Sequence, residues 1–108
     1  MLITVVETPE FLASAKAAGM TESEVFVAID IISKNPTGGV SLGGGIYKVR
    51  VPRSGGGKSG GYRVVSLYVA DDIPTYLLSV INKTVSDNFS TVEVRNMKQE
   101  AKSIKRKK

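Results

Sequence analysis

Apolar and polar positions change period several times along this chain, and each change marks an element. Residues 2–6, Leu-Ile-Thr-Val-Val, are rich in β-formers and predict a short first strand. The spacing then turns helical. Thr8 can cap a helix, Pro9 suits its first position and Glu10 favours the positive end of its dipole. Phe11, Leu12, Ala15 and Ala18 form its apolar side, and Gly19 ends it. A second helix opens at Thr21-Glu22-Ser23-Glu24, a capping box, with Met20 and Val25 placed as a hydrophobic staple. Its inward side is expected to hold Val25, Phe26, Ile29 and Ile32, and Asn35-Pro36 stops it.

Residues 37–45 contain five glycines and read as a turn-rich connection. Beyond it the period shortens to two. Ile46, Val49 and Val51 alternate with Lys48 and Arg50, and after a glycine-rich loop Tyr62, Val64, Val65 and Leu67 continue a second strand. Alternation sets Lys48 and Arg50 on the face opposite Val49 and Val51. Asp71-Asp72 turn the chain into a strand over 73–81, with Pro74 near its start. A polar run to Asn88 precedes a second capping box, Ser90-Thr91-Val92-Glu93, and a helix with Met97, Ala101 and Ile104 on one side. The predicted order is β-α-α-β-β-β-α. This is a small α+β domain over residues 1–104 with a twisted, mainly antiparallel sheet, followed by a basic tail, Lys105-Arg106-Lys107-Lys108.

Composition narrows the chemistry. The 108 residues suit one domain. The absence of Cys and His rules out disulfides, the common zinc sites and histidine-based triads. No run approaches membrane-spanning length and no basic leader precedes the first apolar run, so a cytoplasmic protein with no membrane partner is expected.

The net charge of +5 is unevenly spread. Residues 1–45 carry −3, residues 46–70 carry +5 with no acid, residues 71–94 carry −3 and the last fourteen carry +6. Two basic blocks set between acidic ones predict a polyanion bound at defined places, and nucleic acid is the first candidate. The segment Gly55-Gly56-Gly57-Lys58-Ser59-Gly60 formally contains nucleotide-binding patterns. Those patterns require a helix after the loop, so that its amides meet phosphate, and here a strand follows.

The hairpin also carries a resemblance. Gly45-Ile46-Tyr47-Lys48-Val49-Arg50-Val51-Pro52, followed by Gly57-Lys58-Ser59-Gly60-Gly61-Tyr62-Arg63-Val64-Val65, resembles the RelE/HigB-like toxins of bacterial type II toxin–antitoxin pairs, and more closely the HigB-like branch. The likeness continues through Tyr76-Leu77-Leu78-Ser79-Val80-Ile81-Asn82-Lys83 and Asp87-Asn88-Phe89-Ser90, covering roughly residues 43–104.

The resemblance implies a RelE-like fold and an mRNA interferase, an endoribonuclease acting on mRNA at the ribosome. It would inhibit translation, arrest growth and be neutralised by a cognate antitoxin, expected as a helix-turn-helix protein; no cofactor is implied. The family's functional basic positions fall on Lys48, Arg50, Lys58, Arg63 and Lys83. One position departs: the glutamate that the family commonly has two residues after this lysine is replaced by Val85, with Thr84 in the preceding place, which removes a carboxylate able to act as a base or hold a cation.

The chemistry leads to the same residues. RNA cleavage by 2′-oxygen attack builds charge on the phosphate and on the leaving 5′-oxygen, and fixed cations stabilise that charge most in the transition state. Arg63 suits bidentate phosphate contact, and Lys48 or Lys83 the leaving oxygen, giving Arg63, Lys83 and Lys48 as candidate catalytic residues. Without histidine, a lysine or one of Tyr62, Tyr68 and Tyr76 would take the proton. Arg50, Arg53, Lys58, Lys105, Arg106, Lys107 and Lys108 are candidates for RNA or ribosome binding. Two alternatives share this fold: a non-catalytic RNA- or ribosome-binding module, and a gyrase-directed toxin, which would need no cation cluster in the sheet.

Overall fold

The computed structural model describes residues 3–53, 61–82 and 89–106. The elements are β1 (Val5–Glu7), α1 (Pro9–Ala18), α2 (Glu22–Lys34), β2 (Val40–Gly43), β3 (Ile46–Val51), β4 (Tyr62–Leu67), β5 (Thr75–Asn82) and α3 (Thr91–Arg106). The five strands form one sheet in the order β1-β5-β4-β3-β2. β1 runs parallel to β5, and every other neighbouring pair is antiparallel. The α+β class and the mainly antiparallel sheet stand as expected. The glycine-rich connection adds a short edge strand, β2, which pairs with β3 through Val40 opposite Lys48 and Ser41 opposite Tyr47.

Both faces of the sheet are covered. On one, Phe11 and Ala15 of α1 and Ala28 and Ile32 of α2 pack on Val49, Val51, Tyr62, Val64, Leu77 and Val80. On the other, Met97 and Ala101 of α3 join Phe89 over Ile46, Val65, Leu67 and Leu78. β3 and β4 are thus buried from both sides, which explains why β4 reads as a nearly continuous apolar run.

Local chemistry fixes where the helices begin. Thr8 caps α1: its Oγ1 accepts from Phe11 N at 3.2 Å and donates to Leu77 O at 2.7 Å, so the cap also ties α1 to β5. Gly19 closes α1 with φ 79°. Both capping boxes form. Thr21 N donates to Glu24 Oε1 at 2.8 Å and Glu24 N to Thr21 Oγ1 at 3.2 Å; Ser90 N donates to Glu93 Oε1 at 2.7 Å and Glu93 N to Ser90 Oγ at 3.1 Å.

The helix faces differ from the expectation at two apolar positions. Leu12 is 52% exposed and Phe26 is 65% exposed, whereas Ala28 and the carboxylate-bearing Glu24 are buried. Glu24, Ala28 and Ile32 define the inward line of α2, and Phe26 stands about 200° around the helix from Glu24. The polar anchor of Glu24 turns Phe26 outward. The last helix also reaches further than expected: it continues through Arg106, so Lys105 and Arg106 stand on its final turn.

Candidate RNA-binding face of the sheet

β3 and β4 carry the basic cluster because their register sets two arginines opposite one another. Arg50 pairs directly with Arg63, and Lys48 with Val65. Ile46 and Val65 belong to the α3 side of the sheet, so alternation puts Lys48, Arg50 and Arg63 on that side too. Lys48 and Arg63 are half-buried and Arg50 is exposed. The apolar ground beneath α3 therefore gives way, along the same two strands, to three cations. Cross-strand pairing does not favour like charges directly opposite one another. Departures of this kind from local consistency gather at functional sites.

The backbone around the cluster is closely fitted. Gly61 precedes β4 with φ 79°, and a Cβ there would lie 2.8 Å from Val51 O, so only glycine suits this position. Arg63 Nη1 donates to Tyr62 O at 3.3 Å, which directs the guanidinium along the strand. On the neighbouring strand Ile81 pairs with Arg63 and Asn82 with Tyr62, and Asn82 Nδ2 donates to Ala18 O at 3.1 Å. β5 thus ends beside the cluster at Asn82.

The other sequence candidates divide into three groups. Arg53 follows β3 and lies apart from the cluster, where its charge acts on the Tyr62 hydroxyl of the opposite face. Lys105 and Arg106 are on α3, and Lys105 Nζ donates to Gly44 O at 2.6 Å, which ties the end of that helix to the β2–β3 turn. Lys58, Lys83, Lys107 and Lys108, together with Val85, lie outside the described residues.

The three tyrosines are held elsewhere. Tyr62 is buried on the helix-pair face, and its hydroxyl donates to Glu24 Oε1 at 2.9 Å. Burial, and then the bond and charge of Glu24, push its pKa up. Tyr68 donates to Asp71 Oδ1 at 2.5 Å, which likewise raises its pKa. Tyr76 pairs with Leu67, at the far end of β4 from Arg63 and about 13 Å away along the strand. None of them reaches the Arg50–Arg63 pair. Alternation already turns Tyr62 away from its neighbour Arg63, whereas the separation of Tyr76, which packs on the α3 side, comes from the register of β5 against β4.

No helix of the described residues is long and apolar enough to cross a membrane. The fold is similar to a structure of the E. coli toxin RelE, a double arginine-to-alanine mutant in the free state. The TM-score is 0.56 at 14% sequence identity, over 81% of this chain and 90% of that one. At this identity the likeness concerns the fold. No match is found among curated protein sequences. A family model described as the RelE toxin of the RelE/RelB toxin–antitoxin system matches residues 3–108, nearly the whole sequence, and the chain therefore belongs to the RelE toxin family.

Proposed function

We propose that this RelE-family toxin is an endoribonuclease that cuts mRNA on the ribosome and is held inactive by a cognate antitoxin. The observation that carries the reading is the direct pairing of Arg50 with Arg63, with Lys48 on the same face of the sheet. A phosphodiester placed over this pair would meet two guanidinium groups set directly across the ladder. It would also receive the charge-assisted contacts that its transition state needs most.

The step is a transesterification. The ribose 2′-oxygen bonds to phosphorus and loses its proton to a base, while the bond from phosphorus to the 5′-oxygen breaks and that oxygen takes up a proton. The products are a 2′,3′-cyclic phosphate and a 5′-hydroxyl, and the balance requires no cofactor or metal. Arg63 holds the non-bridging oxygens and Arg50 the neighbouring phosphate. Lys48 and Lys83, the latter immediately after β5 in sequence, serve the proton and the leaving oxygen. With the three tyrosines turned elsewhere, a lysine is the acceptor that remains among the candidates. The ribosome supplies the orientation that so sparse a site lacks.

The test uses purified protein, with its antitoxin removed, on mRNA engaged by translating ribosomes and on the same mRNA free in solution. Cleavage on ribosomes with most free RNA left intact is the expected result. Equal cleavage of free RNA would overturn the ribosome-dependent form. Binding without cleavage of either would point to a non-catalytic ribosome-binding module.

A further inference from the structure

Three cations outside the sheet cluster stand along one flank of α3. Arg95, Lys98 and Lys102 occupy positions i, i+3 and i+7, and with Phe89 and Val94 they line an open cleft of about 560 Å³. No acid lines this cleft among the described residues. Lys98 and Lys102 also border a smaller cleft shared with Gly43, Gly44 and Ile46. Ile46 belongs to the strand, and to the face of it, that carries Lys48 and Arg50. The flank therefore overlooks the same side of the sheet.

Helix formation does not explain these charges. Lys105 and Arg106 sit in the last turn, where cations suit the dipole, but Arg95, Lys98 and Lys102 lie earlier. Lys98 and Lys102 are four residues apart, a spacing at which like charges destabilise a helix. Glu93 and Glu100 do not relieve them, since neither is three or four residues from Lys98 or Lys102. Among the described residues the flank presents three cations and no acid.

We infer that this flank of α3 is a second, non-catalytic RNA-docking surface, where Arg95, Lys98 and Lys102 hold backbone phosphates on the side of the sheet that carries the cluster, towards the Ile46 end of β3. The inference deepens the RNA-directed reading above and rests on it. Between Arg95 and Lys102 the helix advances about 10 Å, enough for more than one phosphate of an extended strand. Three cations and no acid border the cleft among the described residues, a charge pattern that suits a phosphate backbone.

The test measures binding of the full chain to 70S ribosomes and to a single-stranded RNA whose 2′-hydroxyls are replaced, so that cleavage plays no part. The variant carries Arg95→Ala, Lys98→Ala and Lys102→Ala together; alanine favours helix, and circular dichroism checks that helicity is retained. The expected result is weaker binding to both, on the order of tenfold or more at moderate salt. The slope of log affinity against log salt should fall by about 2, as for loss of three single-strand phosphate contacts. An unchanged affinity and slope would overturn the inference, even if the protein cleaves RNA. A variant that binds both RNAs normally but loses its antitoxin would overturn it too, by making the flank a protein-docking surface. If wild type binds and does not cleave, the catalytic reading fails while the triple variant still decides this one.

Discussion

The hydroxyl of Tyr62 and the carboxylate of Glu24 meet at 2.9 Å in the core, joining the first residue of β4 to the capping box of α2. Glu24 is 2% exposed and its Oε1 also accepts from Thr21 N, so one carboxylate oxygen serves the helix cap and the sheet together. Hydrogen bonds to a charged group contribute about 1.5–3 kcal/mol. Tyr62→Phe keeps the ring and removes the donor. Chemical denaturation should show a loss within that range, with the far-UV spectrum unchanged.

A pair of carboxylates makes stability depend on pH. Glu10 lies on the first turn of α1, where a backbone hydrogen bond holds its pKa down, and Glu100 on α3 reaches it. Burial, then the bond and charge of Glu10, push Glu100 up to about 7. The cleft they share is also lined by Glu7 and Tyr76, and no cation lines it among the described residues. On α3 itself, positions three and four residues from Glu100 are Asn96, Met97, Ser103 and Ile104. Because the folded pKa is raised above the ordinary 4.5, this contribution is complete below pH 4.5 and is lost as pH rises through about 7. Thermal melts from pH 5 to 8 should show Tm falling for wild type. Glu100→Gln, which can donate to Glu10 at every pH, should flatten that fall.

The Arg50–Arg63 pair also predicts how RNA shifts stability. Arg50→Thr removes one of two cations set directly across the ladder and should reduce the rise in Tm that added RNA produces in wild type. Melting curves with and without a non-cleavable RNA read the effect.

Arg63→Ala tests catalysis directly. On saturated ribosomes the single-turnover rate should fall by roughly 10²–10³-fold, the usual cost of one contact to a developing oxyanion. Binding should change far less, since one contact among many is lost. If binding falls and the saturated rate stays intact, Arg63 belongs to a general basic surface.

Thr75 marks a site where the core can be improved. Its Oγ1 is buried and has no hydrogen-bond partner among the described residues. Thr75→Val keeps the branched shape required by the strand and removes a hydroxyl that lost its water on folding. Stability should rise by about 1 kcal/mol in denaturant melts. A loss instead would indicate that the hydroxyl does have a partner.

Sequence alone determined the features whose causes lie within a few residues. Thr8, the Thr21–Glu24 and Ser90–Glu93 boxes, Gly19 and the Asn35-Pro36 stop act across three or four positions, so they mark helix ends without reference to the rest of the chain. Strict alternation likewise placed Lys48 and Arg50 on one face of β3. Tertiary structure decided what depends on a distant partner. β2 is a strand because β3 supplies its ladder bonds, which glycine-rich residues 37–45 could not announce. The inward line of α2 runs through Glu24 and Ala28 because Tyr62, 38 positions away, holds the carboxylate, and this exposes Phe26. The register that sets Arg50 against Arg63 comes from burial of β3 and β4 on both faces, since a slip by one residue would turn Val49 and Val51 out of the core. Alternation set Tyr62 and Arg63 on opposite faces, and the helices decided that Tyr62 meets the Glu24 carboxylate while Arg63 lies on the α3 side. Two neighbours in sequence thereby became a structural anchor and a candidate for catalysis.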